Sequence, residues 1–195
     1  MIFRKAPLNG NLYVLELEKF SDSRGFFSRT VCIDEFKKYG LNSNFIQQSI
    51  SFNPVQFTIR GMHWQLNPFS EEKLVRVTKG AIFDVVVDIN PNSYTFKQWY
   101  SIELSEENRK QIYIPKGFAH GFQTLMPNTE VQYEMTAKYN QSASTGFSWR
   151  DPEVAIDWPE SNSSLISEKD SLFLNLESIE SRFNFRNKMF NWRRS

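Results

Sequence analysis

The sequence predicts a mainly β protein, folded as an antiparallel sandwich or barrel. Aromatic side chains are abundant, with 18 Phe, 7 Tyr and 5 Trp among 195 residues, and such side chains suit the half-buried faces of strands. Short strand-like segments also recur at roughly ten-residue spacing, with few helical patterns between them. The length is that of one domain with a sizeable core, since β-barrels of this size still form a single unit.

The N-terminal part of the chain predicts one strand, one turn and one short helix. Residues 12–18 alternate loosely between apolar and polar side chains, which favours a strand. The polar residues 21–23 then predict a turn before residues 24–27. Residues 34–39 have the pattern of a short helix that ends at Gly40.

The middle of the chain gives the clearest strand signals. Residues 45–51 predict a strand whose alternate positions carry polar groups on one face, and residues 60–65 are a further stretch of strand. Residues 73–89 are rich in β-branched side chains and divide into two runs joined at Lys79-Gly80.

The remaining elements complete the predicted barrel. Residues 99–104, 111–115 and 131–136 are three more candidate strands. The composition changes after Pro159, where Ser, Asn and Glu are followed by mixed helical patterning from Ser171 towards Phe190. We expect a single domain over residues 1–195, with a barrel over about 12–160 and a C-terminal helical appendage over about 161–195 that packs on it.

Charge and composition exclude several classes of protein. The net charge is +1, and the only basic cluster is Trp192-Arg193-Arg194, so no stripe of cations favours a nucleic acid polymer. No apolar run approaches the roughly 20 residues that span a membrane, and residues 1–7 do not have the pattern of a signal peptide. The single cysteine, Cys32, forms no internal disulfide, and the cytosol is the expected location.

The histidine count limits metal chemistry. Only His63 and His120 occur. A three-histidine metal site is therefore excluded, and a mixed site with carboxylates would need both residues.

Three short segments carry candidate chemical groups. His63 follows Arg60 by three positions, so the two side chains point to opposite faces of a strand unless a bulge or a bend at Gly61 brings them together. His120 stands between two glycines. Asp84 lies within an apolar strand, where an ionised carboxylate needs a partner.

Several motifs, in order and in spacing, are similar to those of one family of enzymes. They are residues 22–27 (DSRGFF), 60–65 (RGMHWQ), 73–77 (KLVRV), 83–88 (FDVVVD), 115–122 (PKGFAHGF), 151–152 (DP) and 156–159 (IDWP). Together they resemble the dTDP-4-dehydrorhamnose 3,5-epimerase family over residues 12 to 172.

The resemblance implies a cupin-type jelly-roll barrel, a homodimer, and catalysis without a metal or other cofactor. The implied substrate is a nucleoside-diphosphate 4-keto-6-deoxy sugar. A ketone at C4 acidifies the hydrogens on C3 and C5, so a base removes one of them and an acid returns a proton on the opposite face.

The resemblance also implies catalytic roles. His63 is the base, and Asp170 orients it and supports its charge. Tyr133 is the acid on the other face of the sugar. Lys73 stabilises the enolate oxygen. Asp84 and His120 match a supporting polar pair.

The remaining implied residues bind the substrate. Arg60 has the forked guanidinium that suits a diphosphate. Arg24 and Phe27 resemble positions that reach across a dimer to the nucleotide of the neighbour. The full set of expected substrate-binding residues is Arg60, Gln47, Arg24, Phe27, Arg29 and Tyr139.

Departures from the family pattern leave the nucleotide open. Arg29 and Ser144 stand where the dTDP-using members carry glutamates, and residues 47–51 differ from the common form. CDP, GDP and dTDP therefore remain alternatives for the nucleotide. The sugar also stays open, for example a heptose or a 3,6-dideoxy sugar, as does inversion at C3, at C5 or at both.

Other interpretations of the same residues also remain. Lys73 and Tyr133 are compatible with a strand-end cation and a core tyrosine, and Arg24 and Phe27 with a turn cation and a packing aromatic. The alternative functions are a cupin-class 3,4-ketoisomerase and a non-enzymatic sugar-binding β-sandwich, whereas the histidine count disfavours a metal-dependent cupin.

Overall fold

The first of two stacked β-sheets carries the N-terminal strands. The computed structural model describes residues 1–178, and within that range this sheet has six antiparallel strands. In spatial order they are β1 (Ile2–Lys5), β2 (Tyr13–Glu16), β10 (Gln111–Ile114), β7 (Lys73–Lys79), β12 (Thr129–Met135) and β5 (Gln47–Asn53).

The second sheet also has six strands in the described part of the chain. In spatial order they are β13 (Ser144–Gly146), β6 (Thr58–Gln65), β11 (Phe118–Thr124), β8 (Ala81–Asp88) and β9 (Trp99–Ser105), with β14 (Leu165–Ile166) parallel to β6. A separate hairpin joins β3 (Phe20–Asp22) to β4 (Gly25–Phe27). Short helices are α1 (Ile33–Lys38) and α2 (Glu168–Ser171), and residues 176–178 are helical as well. The predicted antiparallel sandwich with a few short helices is thus confirmed.

Most predicted elements occur with small shifts. The strand expected at 45–51 is β5 at Gln47–Asn53, and the helix expected at 34–39 is α1, which is followed by Gly40 at φ +66°. The sequence did not mark β11 as a strand, because Gly121 interrupts the alternation of its other residues.

Alternate side chains of each strand divide between the core and the outer faces. In β7, Val75 and Val77 point between the sheets, whereas Leu74 points outwards beneath α1 and packs on Phe36. Each fully buried side chain of this kind contributes about 1.5–3 kcal/mol to folding. The same alternation places Lys73 on the inward face, at the end of β7 where the apolar core ends and a cavity begins.

A bulge in β6 changes which face its residues occupy. His63 lies opposite His120, and Arg60 lies opposite Phe122, so three steps along β6 match two along β11. Gly61 allows this because its φ is +143° and a Cβ there would lie 2.6 Å from the Cα of Gly121. The bulge therefore brings Arg60 and His63 to the same face. Without it, their spacing in the sequence would place them on opposite faces of the strand.

The chain after β13 covers the outer face of the second sheet. Phe147, Trp149, Trp158 and Leu176 are buried there against β6 and β8. Residues 176–178 are helical, whereas the helical patterning expected as far as Phe190 and the basic cluster at 192–194 lie outside the described residues. The division into barrel and appendage within one domain stays a prediction. No helix in residues 1–178 is long and apolar enough to cross a membrane.

Candidate active site

A cavity of about 400 Å³, lined by charged, polar and aromatic side chains, opens between the two sheets. It forms where the inward faces of the strands change from apolar to polar side chains. In β12, Val131 belongs to the core, but Tyr133 and Met135 line the cavity. In β5, the inward Gln47 lines it as well. The strand expected at 45–51 therefore does present polar groups to a site.

His63 projects from β6 into this cavity and is held by a carboxylate. Its Nε2 lies 2.8 Å from Oδ1 of Asp170, and its side chain is 35% exposed while that of Asp170 is 6% exposed. The other oxygen of Asp170 accepts from the backbone N–H of Gly61 at 3.3 Å. Burial disfavours the carboxylate, but the hydrogen bonds from His63 and Gly61 outweigh it, so the pKa of Asp170 lies below its usual range.

Asp170 reaches His63 because the C-terminal segment returns to β6. The strand β14 pairs with the start of β6 at Leu165–Thr58, and α2 follows directly. The side chain of Ser167 caps α2 by accepting from the backbone N–H of Asp170 at 3.1 Å. This cap fixes the position of the carboxylate at the bulge.

Tyr133 lines the cavity from the opposite sheet. It lies on β12, whereas His63 lies on β6, so the two side chains belong to facing walls. Burial and then the nearby charge of Asp84 raise the pKa of the Tyr133 phenol. The hydroxyl group therefore keeps its proton at neutral pH and is available as an acid.

A second histidine–carboxylate pair lies deeper between the sheets. The Nε2 of His120 is 2.7 Å from Oδ2 of Asp84, and the two side chains are only 4% and 0% exposed. The ring of Tyr133 contacts His120 edge to face at 5.9 Å. Asp84 thus has the partner that its place in an apolar strand requires. Its Oδ1 has no hydrogen bond within residues 1–178.

Among residues 1–178, three cationic side chains lie around the cavity. Lys73 lies at the start of β7 and pairs with Glu71, with 3.1 Å between Nζ and Oε1. Arg60 is held by the side chain of Asn53, which accepts from its Nε at 2.7 Å. Lys169 lines the cavity beside Asp170.

The two other expected binding residues of the cavity wall touch each other. The side chain of Gln47 accepts from the backbone N–H of Tyr139 at 2.9 Å. Tyr139 is half exposed, at the rim. Seven of the expected catalytic, supporting and binding residues therefore line one cavity: Gln47, Arg60, His63, Lys73, His120, Tyr133 and Tyr139.

Arg24, Phe27 and Arg29 do not reach the cavity of their own chain. Arg24 pairs with Asp22 in the β3–β4 turn, and Arg29 pairs with Glu35 of α1. Phe27 is 73% exposed.

Sequence reasoning missed several residues of the site. Lys169, Glu71, Ser49 and Ser51 also line the cavity. Sequence spacing could have identified Lys169 and the two serines, because Lys169 is the neighbour of Asp170 and the serines share the face of Gln47. Glu71 stands in an irregular segment, where no periodicity shows its direction. Within residues 1–178, no cluster of three His, Cys, Asp or Glu side chains is suited to hold a metal ion.

Comparisons with known proteins agree on one family. The sequence model of dTDP-4-dehydrorhamnose 3,5-epimerase matches residues 6–178. The enzyme of that name from Sinorhizobium fredii is 44% identical over 153 residues, 78% of each chain. The one from Escherichia coli K12 is 39% identical over 170 residues, which cover 87% of this chain and 91% of the relative.

Solved structures of this family share the fold. The Bacillus anthracis enzyme with TDP and pyrophosphate bound has a TM-score of 0.84 and 39% identity, with 89% of this chain and 99% of that chain covered. The Legionella pneumophila enzyme in complex with dTDP-4-keto-L-rhamnose has a TM-score of 0.86 and 34% identity, with 92% and 95% covered. These matches confirm the cupin-type fold that the motifs implied, and the chain belongs to the dTDP-4-dehydrorhamnose 3,5-epimerase family.

Proposed function

We propose that this protein epimerises C3 and C5 of a dTDP-4-keto-6-deoxy sugar by proton transfer through an enolate. The family and the relatives named above supply the reaction class and the nucleotide. The observation that carries the proposal is the placement of a carboxylate-bound histidine and a protonated tyrosine on facing walls of one cavity.

His63 is the base in this proposal. With Asp170 ionised, the N–H at Nε2 donates to its carboxylate, and Nδ1 is left with the lone pair that takes a proton from the sugar. The carboxylate also stabilises the imidazolium that forms. The one-third exposure of His63 gives the sugar access to it.

Tyr133 returns the proton on the other face. A base and an acid on the same wall would restore the original configuration, whereas facing walls invert it. Lys73 supplies positive charge to the oxygen at C4 as the enolate forms, an interaction that is strongest at the transition state. Asp84 and His120 support Tyr133 from behind, through the ring contact and the charge of the carboxylate.

Arg60 and Lys169 bind the diphosphate in this proposal. Asn53 engages only Nε of Arg60, so the two terminal amino groups are left for phosphate oxygens. Lys169 adds a second cation at the same opening. Gln47 and Tyr139 form the adjoining wall for the rest of the nucleotide sugar.

A homodimer belongs to the proposal as well. The outer face of β5, at the end of its sheet, exposes Ile50 (65%) and Phe52 (51%). Unpaired edge strands and contiguous apolar surface favour association. The exposed hairpin residues Arg24 and Phe27, with Arg29 after them, would then contact the nucleotide of the neighbouring subunit.

Sedimentation should give a mass of about twice the 23.0 kDa of one chain, and Ile50→Lys should lower that mass to the value of the monomer. A monomeric wild type contradicts this part of the proposal. The cytosolic location stays a prediction.

The test is proton NMR of dTDP-4-keto-6-deoxyglucose incubated with the protein in D₂O. We expect loss of the C3 and C5 proton signals with the wild type and their retention with His63→Asn. The CDP and GDP forms of the sugar are the matched controls for the nucleotide. Absence of exchange with the dTDP sugar contradicts the proposal. Faster exchange with a CDP or GDP sugar contradicts the assignment of dTDP as the nucleotide.

A further inference from the structure

One carboxylate lines the cavity among the described residues, and this is Glu71. Its presence is unexpected, because both the diphosphate and the enolate of the proposed reaction are anions. A carboxylate in the same cavity opposes the build-up of negative charge on the enolate by charge repulsion. An acidic side chain at this place therefore needs a structural reason.

Glu71 is bound on both of its oxygens. Oε1 is 3.1 Å from Nζ of Lys73, and Oε2 accepts a hydrogen bond from the side chain of Gln65. The side chains of Glu71 and Lys73 are only 8% and 12% exposed. An ion pair so far from solvent is little screened, and the second hydrogen bond fixes the carboxylate in one orientation.

Gln65 is itself fixed from several sides. It is buried, its amide nitrogen is 3.0 Å from the carbonyl oxygen of Phe69, and its carbonyl oxygen accepts from the backbone N–H of Asn140 at 2.7 Å. It also lies two residues after His63 in β6, on the same face of that strand. A continuous set of contacts thus runs from the strand of the base, through Gln65 and Glu71, to the ammonium group of Lys73.

A lysine without such a partner would have several rotamers in a cavity of this size. Its four-carbon stem is flexible, and its ammonium group is a point charge without directional preference. Catalytic groups must be held close to the productive geometry, and a displacement of about 1 Å can cost about 10²-fold in rate. Glu71 fixes the position of the ammonium group at the end of this flexible stem.

We propose that Glu71 is a positioning residue that holds the Lys73 ammonium group at the enolate oxygen. This inference rests on the proposed function, since it concerns the same reaction. Glu71 does not contact the diphosphate cations Arg60 and Lys169 in the structure, so its effect should fall on kcat and leave KM unchanged.

The neighbouring glutamate provides a matched control. Glu72 carries the same charge, but its side chain faces a different cavity, beside Tyr113. Glu71→Gln and Glu72→Gln therefore remove the same charge one residue apart, on opposite sides of the chain.

The experiment is a double-mutant cycle on kcat, with the dTDP-4-keto-6-deoxy sugar at saturation in D₂O. We expect Glu71→Gln to lower kcat about tenfold and Lys73→Met to lower it about 10²–10³-fold. The Glu71→Gln change should then have less than about a twofold effect in the Lys73→Met background, because no ammonium group is left to position. Glu72→Gln should keep the kcat of the wild type.

Three results would overturn the inference. They are a kcat of Glu71→Gln equal to or above that of the wild type, an equal loss in the Lys73→Met background, and an equal loss in Glu72→Gln. If Glu71→Gln does not fold, Glu71→Asp takes its place, with a smaller loss of kcat expected that again depends on Lys73. A wild type without any exchange would instead contradict the proposed function.

Discussion

The protein contains two histidine–carboxylate pairs of nearly equal geometry, and they differ in almost everything else. The hydrogen-bond distances are 2.8 Å for His63–Asp170 and 2.7 Å for His120–Asp84. His63 is one-third exposed to the cavity, whereas His120 is almost fully buried. A histidine–carboxylate contact alone therefore does not define a base. Access to the substrate and the source of the carboxylate decide between the two.

The carboxylates come from different parts of the fold. Asp84 lies in the middle of β8, which pairs with β11 in the core, and it stands 36 positions before His120. Asp170 stands 107 positions after His63, on a short helix added after the barrel. The buried pair is part of the framework, while the exposed pair is completed only when the C-terminal segment docks.

The largest expected effect separates the two histidines by rate. Substitution of the exposed one, His63→Asn, should lower the exchange rate of the sugar protons by about 10²–10⁴-fold, which is the range for a general base. Its midpoint of thermal unfolding should change less than that of His120→Leu, because the His63 side chain is partly solvated. Rate by NMR and unfolding by calorimetry, on the same samples, provide the measurement. If His63→Asn loses its fold as well as its exchange rate, the two histidine–carboxylate pairs do not differ in the way proposed.

The next effect separates them by stability. His120→Leu leaves the buried carboxylate of Asp84 without its partner, and the loss of one member of a buried pair costs about 3–5 kcal/mol. Denaturant unfolding should show this loss. The double variant with Asp84→Leu should recover part of it, because no buried charge is left. If the double variant is less stable than His120→Leu alone, the pair is not part of the framework of the fold.

The smallest effect concerns acid. The pKa of Asp170 is lower in the folded protein than its unfolded value of about 3.9. Its ionised form therefore stabilises the fold above that pH, and this contribution is lost as the pH falls through the lower, folded pKa. Unfolding free energies measured between pH 6 and pH 3 should fall less steeply for Asp170→Asn than for the wild type. Identical slopes would show that the exposed pair adds nothing to acid stability.

The fold was largely predictable from sequence because its strands alternate clearly. β7, β8 and β9 have long runs of β-branched or aromatic residues, and each was expected within one or two residues of its observed bounds. β11 was not recognised as a strand, because Gly121 is present for the close approach to Gly61 and carries no side chain to mark a face. Backbone proximity between strands is a tertiary property, and no local pattern encodes it.

The site was predictable only through motifs. The spacing of His63 and Arg60 predicts that they point apart, and the bulge that reunites them follows from the register of β6 against β11. Asp170 was expected from the family resemblance, but its contact with His63 depends on the return of the chain along β14. Glu71 had no signal at all, since its direction is set by Gln65 and not by any periodicity.

The central claim is that base and acid stand on facing walls, and Tyr133→Phe tests it most directly. The measurement is deuterium incorporation and configuration at C3 and C5 of the dTDP-4-keto-6-deoxy sugar, with Tyr94→Phe on an exposed loop as the matched control. We expect the variant to incorporate deuterium, because His63 still removes a proton, exchanges it with D₂O and returns a deuteron on its own face, but to form little inverted product. The control should behave as the wild type. Inversion by Tyr133→Phe at the rate of the wild type would contradict the claim.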